Sequence, residues 1–410
     1  MFLVDKKVDI NSPDSWQSWY RLLIIFLIAT VGNAGIWAIV VVMPSIESDF
    51  LLDRSQTSIP YAATMCGYAI GNFTLGKLVD RFGVAPILSL AIIILSGSFL
   101  LTTQTKDLFS FSILQFVIGV GTGVSFGPLM ADISHCFKKY RGIAVSIVAS
   151  GNYFSGVVWP LVLVGVMTNG GWRDAYLTLA ISSFAISLPA TLLLRKQKIK
   201  IFDQSENTTD NLFSQNPISN NIGLTYLLGF AGVACCVAMA MPQVHIVSYC
   251  FDLGFGTVVG GQMLSLMLAG GVLSRLVFGF ILDWLGGIKT VILGSTLQGL
   301  ALFLFLPFDG LVSLYTVSFV FGLSQGGIVP SYAIVIRELM PKSIAGARIG
   351  FVIMCTIIGM AFGGWVSGWI FEQTGSYQLA FLHGILWNFL NISIMVSIFF
   401  RYQRSTTQSV

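Results

Sequence analysis

The chain is written in long blocks. Apolar runs of 20 to 27 residues, each bounded by charges or turn residues, fall at 20–46, 57–78, 84–103, 108–133, 141–167 and 172–194. A polar stretch from 195 to 221 follows, opening on Arg195, Lys196, Lys198 and Lys200 and continuing through Asn, Ser, Thr and acidic residues. Six more apolar runs lie at 222–248, 257–281, 288–307, 311–335, 346–371 and 377–400. A run of about 20 apolar residues is the length of one helical membrane crossing. Inside lipid the backbone must satisfy its own hydrogen bonds, so each run predicts a helix. The pattern therefore predicts an all-α membrane protein with twelve transmembrane helices, as a bundle over 1–194, a linker over 195–221 and a second bundle over 222–410.

Composition agrees. Hydrophobic residues make up 55% of the 410 positions and charged residues only 10%, whereas soluble domains carry about 25% charged residues. Mean hydropathy is +0.82, and little length remains for a soluble catalytic domain. The net charge of +4 is dispersed between apolar runs and forms no basic stripe, so nucleic acid is not an expected partner. Its distribution predicts orientation: 18 Lys and Arg fall on the side of the termini and linker, against Arg54, Lys106 and Arg173 on the other. By the positive-inside rule both termini are expected in the cytoplasm, with the chain in the cell (inner) membrane. The six cysteines form no CxxC pair and mostly sit in apolar runs, so neither a disulfide nor a metal nor any other cofactor is expected. The first apolar run is too long for a signal-peptide core and is expected to stay as the first crossing.

The halves repeat. Gly76, Asp80 and Gly83 recur as Gly279, Asp283 and Gly286, each shifted by 203 residues and each in the connection after the second crossing of its half. Parallel repeats of this kind place a substrate site between the halves near the bilayer midplane. The stretch Gly76-Lys77-Leu78-Val79-Asp80-Arg81-Phe82-Gly83 resembles the signature loop of the major facilitator superfamily. His135 to Ala144, followed by Ala149-Ser150-Gly151 and Gly156, is similar to the monocarboxylate porter and oxalate/formate antiporter branch. Gly171 to Tyr176 and Pro242 to Tyr249, with Asp252-Leu253-Gly254, fit that branch too. The resemblance covers nearly the whole chain and implies two pseudo-symmetric six-helix bundles with a cytoplasmic latch. Gly76, Asp80, Arg81, Gly83 and Asp283 would form the latch, joined by Asp132 and Arg348 at the ends of crossings four and eleven. A solvated loop whose charges merely set topology is the plainer alternative.

Arg275 is the most informative single residue. It lies inside the eighth apolar run, while all 18 acidic residues fall in loops, termini or span ends. A guanidinium at membrane depth is costly and ordinarily faces a cavity or pathway, so its missing counter-ion points to an anionic substrate. Its repeat counterpart is the neutral Asn72, and Gly271 and Gly279 flank it at helical spacing. Snorkelling toward the interface stays open, since Arg275 precedes Asp283 by eight residues. The resemblance implies a carboxylate-binding Arg in crossing eight, and Arg275 matches it. A guanidinium fork suits a carboxylate because it donates two parallel hydrogen bonds.

His245 and His383 could bind an anion or carry a proton. Asn33, Asn152, Gln243, Gln325 and Asn388 are polar positions for substrate or for helix–helix glue, with glue the commoner role. Tyr153, Trp37 and Trp365 could wall an apolar pocket, and Gly119, Gly121 and Gly123 could let the halves slide. The family's span-one Lys is absent, position 271 is Gly where proton-coupled animal relatives carry Asp, and crossing eleven has no Lys between Arg348 and Glu372. A single deep cation favours a monoanion. The expectation is a monomeric secondary transporter of a small organic monocarboxylate working by alternating access, with proton symport or anion exchange. Efflux of an amphipathic drug or metabolite, and a non-transporting receptor, remain alternatives. No HExxH or paired intramembrane carboxylate suggests an enzyme.

Overall fold

A computed structural model describes residues 13–196 and 222–407. The linker expected at 195–221 lies almost wholly outside these. Ten helices among the described residues are long and apolar enough to cross a bilayer. One of them, Gly142–Leu194, has 53 residues, about 80 Å at 1.5 Å per residue and twice what one crossing needs. It reverses at Gly171, whose φ of 75° and ψ of −174° break the helix; a side chain there would be strained. Counting it as two and adding the 24-residue helix Ile59–Phe82 gives twelve crossings. They are α1 Trp16–Phe50, α2 Ile59–Phe82, α3 Val84–Thr102, α4 Leu108–Cys136, α5 at 141–170 and α6 at 172–196, then α7 Ile222–Asp252, α8 Gly256–Leu285, α9 Gly287–Leu304, α10 Leu311–Leu339, α11 Lys342–Thr374 and α12 Gln378–Thr407. Most apolar runs sit inside these helices, which extend a few residues into the polar flanks. The face carrying the described chain ends is called the terminal face below, and its opposite the far face.

The 203-residue repeat governs packing. Gly119 of α4 lies against the Thr64 carbonyl and Tyr68 amide of α2, and Gly322 of α10 lies against the Met267 carbonyl and Gly271 amide of α8. Gly67 approaches the Phe116 carbonyl as Gly270 approaches the Phe319 carbonyl. All of these pairs differ by 203. Any Cβ at Gly119 or Gly322 would overlap a backbone oxygen, so only glycine permits the approach. The turns of the signature loops also repeat, with φ of 85° at Gly83 and 77° at Gly286.

This packing corrects one expectation. Gly119 and Gly123 seat α4 on α2, and Gly121 meets Ala91 and Leu95 of α3. These glycines bind one half to itself. The halves meet instead where Gly156 of α5 faces Leu268, Gly261 of α8 faces Val164, Gly271 faces Tyr153, and Gly364 and Gly368 of α11 face Tyr61 and Ser58.

Candidate functional site

Arg275 lies on the face of α8 turned toward α5 and α10, and is 9% exposed. Its Nε donates to the Gly326 carbonyl at 3.1 Å, and its Nη1 donates to the Ala149 carbonyl of α5. Its guanidinium carbon stands 3.9 Å from the centroid of the Tyr153 ring. Two backbone oxygens and an aromatic face thus solvate the cation, and none of the four ion pairs among the described residues involves Arg275. Cation–π contact strengthens when water is excluded. Gly326 ends the first segment of α10 at a break, which leaves its carbonyl free of the helical ladder. Both the Tyr153 ring and the Ala149 oxygen belong to the other half.

Aromatic and polar groups converge nearby. Trp37 of α1 packs its ring 6.4 Å from Tyr153 and donates to the Asn152 carbonyl at 2.9 Å. The Tyr153 hydroxyl faces the Met239 sulfur of α7. Tyr68 of α2 lies within electrostatic range of Arg275. The Tyr61 hydroxyl and Ser274 Oγ are buried without a protein partner, and a buried polar atom left unpaired costs about 1–3 kcal/mol. Such atoms near an unpaired cation suit a polar ligand.

The other expected residues disperse. Asn33 donates to the carbonyls of Ala29 and Ser125, and Asn152 reaches Asn33 Oδ1 at 3.4 Å, so this pair ties α1, α4 and α5 together. Asn388 donates to the Ser295 carbonyl and sits in a buried network with Asn391 and Tyr332. Gln325 is fully buried with neither amide atom paired. His383 accepts from Trp387 one turn along α12, and Trp365 is 37% exposed.

Of the expected latch, Asp132 accepts both ends of the Arg21 fork at 2.9 Å, which joins α4 to α1 within one half. Arg348 donates to the Met340 sulfur, the Arg81 guanidinium lies over Phe82, Gly76 faces Pro128, and Asp283 is exposed. The Asp80 side chain lies outside the described residues. In the second half it is Glu338 whose carboxylate caps the Gly287 amide at 2.9 and 3.0 Å, a role the sequence pattern did not single out.

His245 makes its hydrogen bonds not with Arg275 but in a cluster on the far face centred on Arg54. The Arg54 guanidinium pairs with Glu47 at 2.7 Å and Asp252 at 3.0 Å and donates to the Tyr377 hydroxyl at 2.7 Å. Its amide donates to Glu372 at 2.9 Å, and its guanidinium carbon lies 5.0 Å from the Phe371 ring. Burial opposes its charge, yet Tyr377, Glu47 and Asp252 together hold its pKa above the ordinary value. Burial also pushes up the Tyr377 phenol, which stays protonated. His245 Nε2 lies 2.8 Å from the Gly364 carbonyl, and Nδ1 lies 3.3 Å from the Tyr377 hydroxyl. A carbonyl only accepts, so Nε2 carries the proton and Nδ1 accepts from Tyr377.

A family model described as the Major Facilitator Superfamily matches residues 25–315 and 288–409. Among curated relatives, the agnestins efflux protein AgnL12 of Paecilomyces divaricatus is 23% identical over 83% of this chain and 78% of its own length. Monocarboxylate transporter 13 of Rattus norvegicus is 24% identical, over 79% and 74% respectively. A crystal structure of a variant of the nucleoside transporter NupG superposes with a TM-score of 0.68, covering 92% of this chain and all of that one at 14% identity.

Proposed function

Because this chain belongs to the Major Facilitator Superfamily and is a multi-pass membrane transporter, we propose that its cargo is a small organic monocarboxylate, bound at Arg275 and moved by alternating access. The carrying observation is the solvation of Arg275 by carbonyls and a ring, without a carboxylate, at the seam between the halves. A cargo carboxylate is a stronger acceptor than a peptide carbonyl, since charge-assisted hydrogen bonds are about twice as strong as neutral ones.

Its arrival has a mechanical consequence. The bond from Arg275 to the Ala149 carbonyl crosses from α8 to α5, and a carboxylate replacing that carbonyl releases the tie between halves. Neutralising the guanidinium also lowers the cost of enclosing it away from water. Tyr153 gives the cargo an apolar wall, and the unpaired Tyr61 hydroxyl and Ser274 Oγ offer hydrogen bonds for a neutral substituent. With one deep cation, a monoanion balances the site and a dianion leaves an excess charge.

The Lys and Arg count assigns the terminal face to the cytoplasm. Transport proceeds as proton symport or anion exchange by a monomer in the cell (inner) membrane. A counterflow screen separates these modes: proteoliposomes loaded with one acid from a panel of mono- and dicarboxylates, assayed for uptake of labelled lactate or pyruvate with and without a pH jump. Trans-stimulation by monocarboxylates and not by dicarboxylates is expected; stimulation by neither class rejects the cargo. Efflux of an aromatic amphiphile is the second reading, favoured by the Trp37 and Tyr153 wall, and dye displacement that lactate does not compete supports it.

A further inference from the structure

We propose that Arg54 is the pin of a gate that holds the far mouth of the transporter shut, and that α7 links this pin to the central cation. The gate rests on transport itself and is independent of the cargo assigned to Arg275; only the link through α7 rests on that assignment.

Arg54 belongs to the first half, in the connection from α1 to α2. Apart from Glu47, its partners belong to the second half: Asp252 ends α7, Phe371 and Glu372 end α11, and Tyr377 precedes α12. Directly beneath, Ser58 at the start of α2 touches Gly368 of α11, and Tyr61 touches Gly364. Separating the halves here breaks several charge-assisted bonds together, and bonds that break as a set make two discrete states out of a continuous motion. Toward the terminal face, a methyl group at Gly279 of α8, or at Gly346 or Gly350 of α11, would meet open space.

A buried guanidinium with several partners could be plain architecture. Two features favour a gate. First, the pin lies beside an open cleft of about 390 Å³ lined by residues that include Glu47, Arg54, Leu51, Leu52 and Phe251. Water can take over the hydrogen bonds of the cluster as it opens, so opening avoids the penalty of orphaned charges. Second, the cluster is wired inward. Arg54 donates to Tyr377, Tyr377 donates to His245 of α7, and six residues along α7 Met239 touches the Tyr153 hydroxyl beneath Arg275. Pro242 lies between His245 and Met239, where proline lacks the helical N–H and permits a bend. A shift of Tyr153 when cargo displaces the Ala149 carbonyl thereby reaches the pin through one helix.

The test is chemical access beneath the pin. The full chain carrying Ser58→Cys is placed in lipid nanodiscs, where both faces meet solvent and orientation does not matter, and its labelling by a charged methanethiosulfonate reagent is timed. The same chain with Ser58 intact supplies the background from native cysteines. Adding Arg54→Gln is expected to speed labelling at position 58 about tenfold or more, within the usual span of conformational coupling. Asp252→Asn, which keeps the pin and removes one partner, is expected to act in the same direction by a smaller factor. Cys235, buried inside the second half against Gln298, is expected to label at an unchanged rate. Equal labelling at position 58 in all three chains, or a parallel rise at Cys235 that reveals general loosening, overturns the gate.

Discussion

Of the three buried arginines among the described residues, Arg54 and Arg275 are solvated in opposite ways. Arg54 is 4% exposed and gathers carboxylates, a phenol and an aromatic face; Arg275 is 9% exposed and has two backbone oxygens and the Tyr153 side chain, with no carboxylate. Burial alone therefore does not distinguish a binding group from a structural one. The partner's chemistry does. A guanidinium with its own carboxylates has little left to offer a mobile anion, and removing either partner of such a pair is costly. A guanidinium held by neutral carbonyls can exchange an acceptor for a better one.

The largest expected effect isolates the Arg54 region. A Cβ at position 368 would sit 3.2 Å from Ser58 Cβ, close to the 3.5–4.5 Å separation found in disulfides. The double variant Ser58→Cys, Gly368→Cys is expected to cross-link on oxidation, with transport stopped and then restored by reductant. Undiminished flux through a cross-linked population, quantified by mass spectrometry, would break the comparison, because the far face would then have no need to open.

Next comes Arg275→Lys, which keeps the charge and loses the fork. Cargo affinity in that variant is expected to fall about tenfold to a hundredfold, since a point charge cannot bridge a carboxylate with two parallel bonds. Direct titration of purified protein gives the value, and unchanged affinity would reduce Arg275 to a source of potential. Tyr153→Leu removes the aromatic face and is expected to weaken binding by about 0.5–2 kcal/mol, whereas Tyr153→Phe keeps the ring and should stay near the parent. The smallest effects concern scaffold. Gly322→Ala forces a methyl group onto the Met267 carbonyl and is expected to destabilise by about 1–3 kcal/mol. Gly346→Ala meets open space and is expected to remain within about 1 kcal/mol of the parent. Thermal unfolding in detergent compares them.

The difference between the two arginines also marks how far a linear pattern reaches. Membrane crossings are local and collective, so runs such as 84–103 and 311–335 nearly coincide with Val84–Thr102 and Leu311–Leu339. The 203-residue offset between Gly76 and Gly279 also organises the α2–α4 and α8–α10 seams. The solitary depth of Arg275 was equally readable, because it needs only the positions of acidic residues. What tertiary distance decides was hidden. Arg54 sat among loop cations that set topology, and nothing along the chain places it against Asp252, Glu372 and Tyr377, which lie 198 to 323 positions away. His245 looked like a ligand for cargo and stands in the Arg54 relay. Asp132 looked free for a latch and pairs with Arg21 across 111 positions. Backbone acceptors such as the Ala149 carbonyl carry no mark in a sequence at all.

The most direct measurement is equilibrium binding of a labelled monocarboxylate to purified protein with and without Arg275→Gln, with folding of both verified by thermal unfolding. Losing one partner of a buried charged pair costs about 2–5 kcal/mol, so affinity is expected to fall about thirtyfold or more. Equal affinity in the two proteins would contradict the assignment of Arg275 to the cargo.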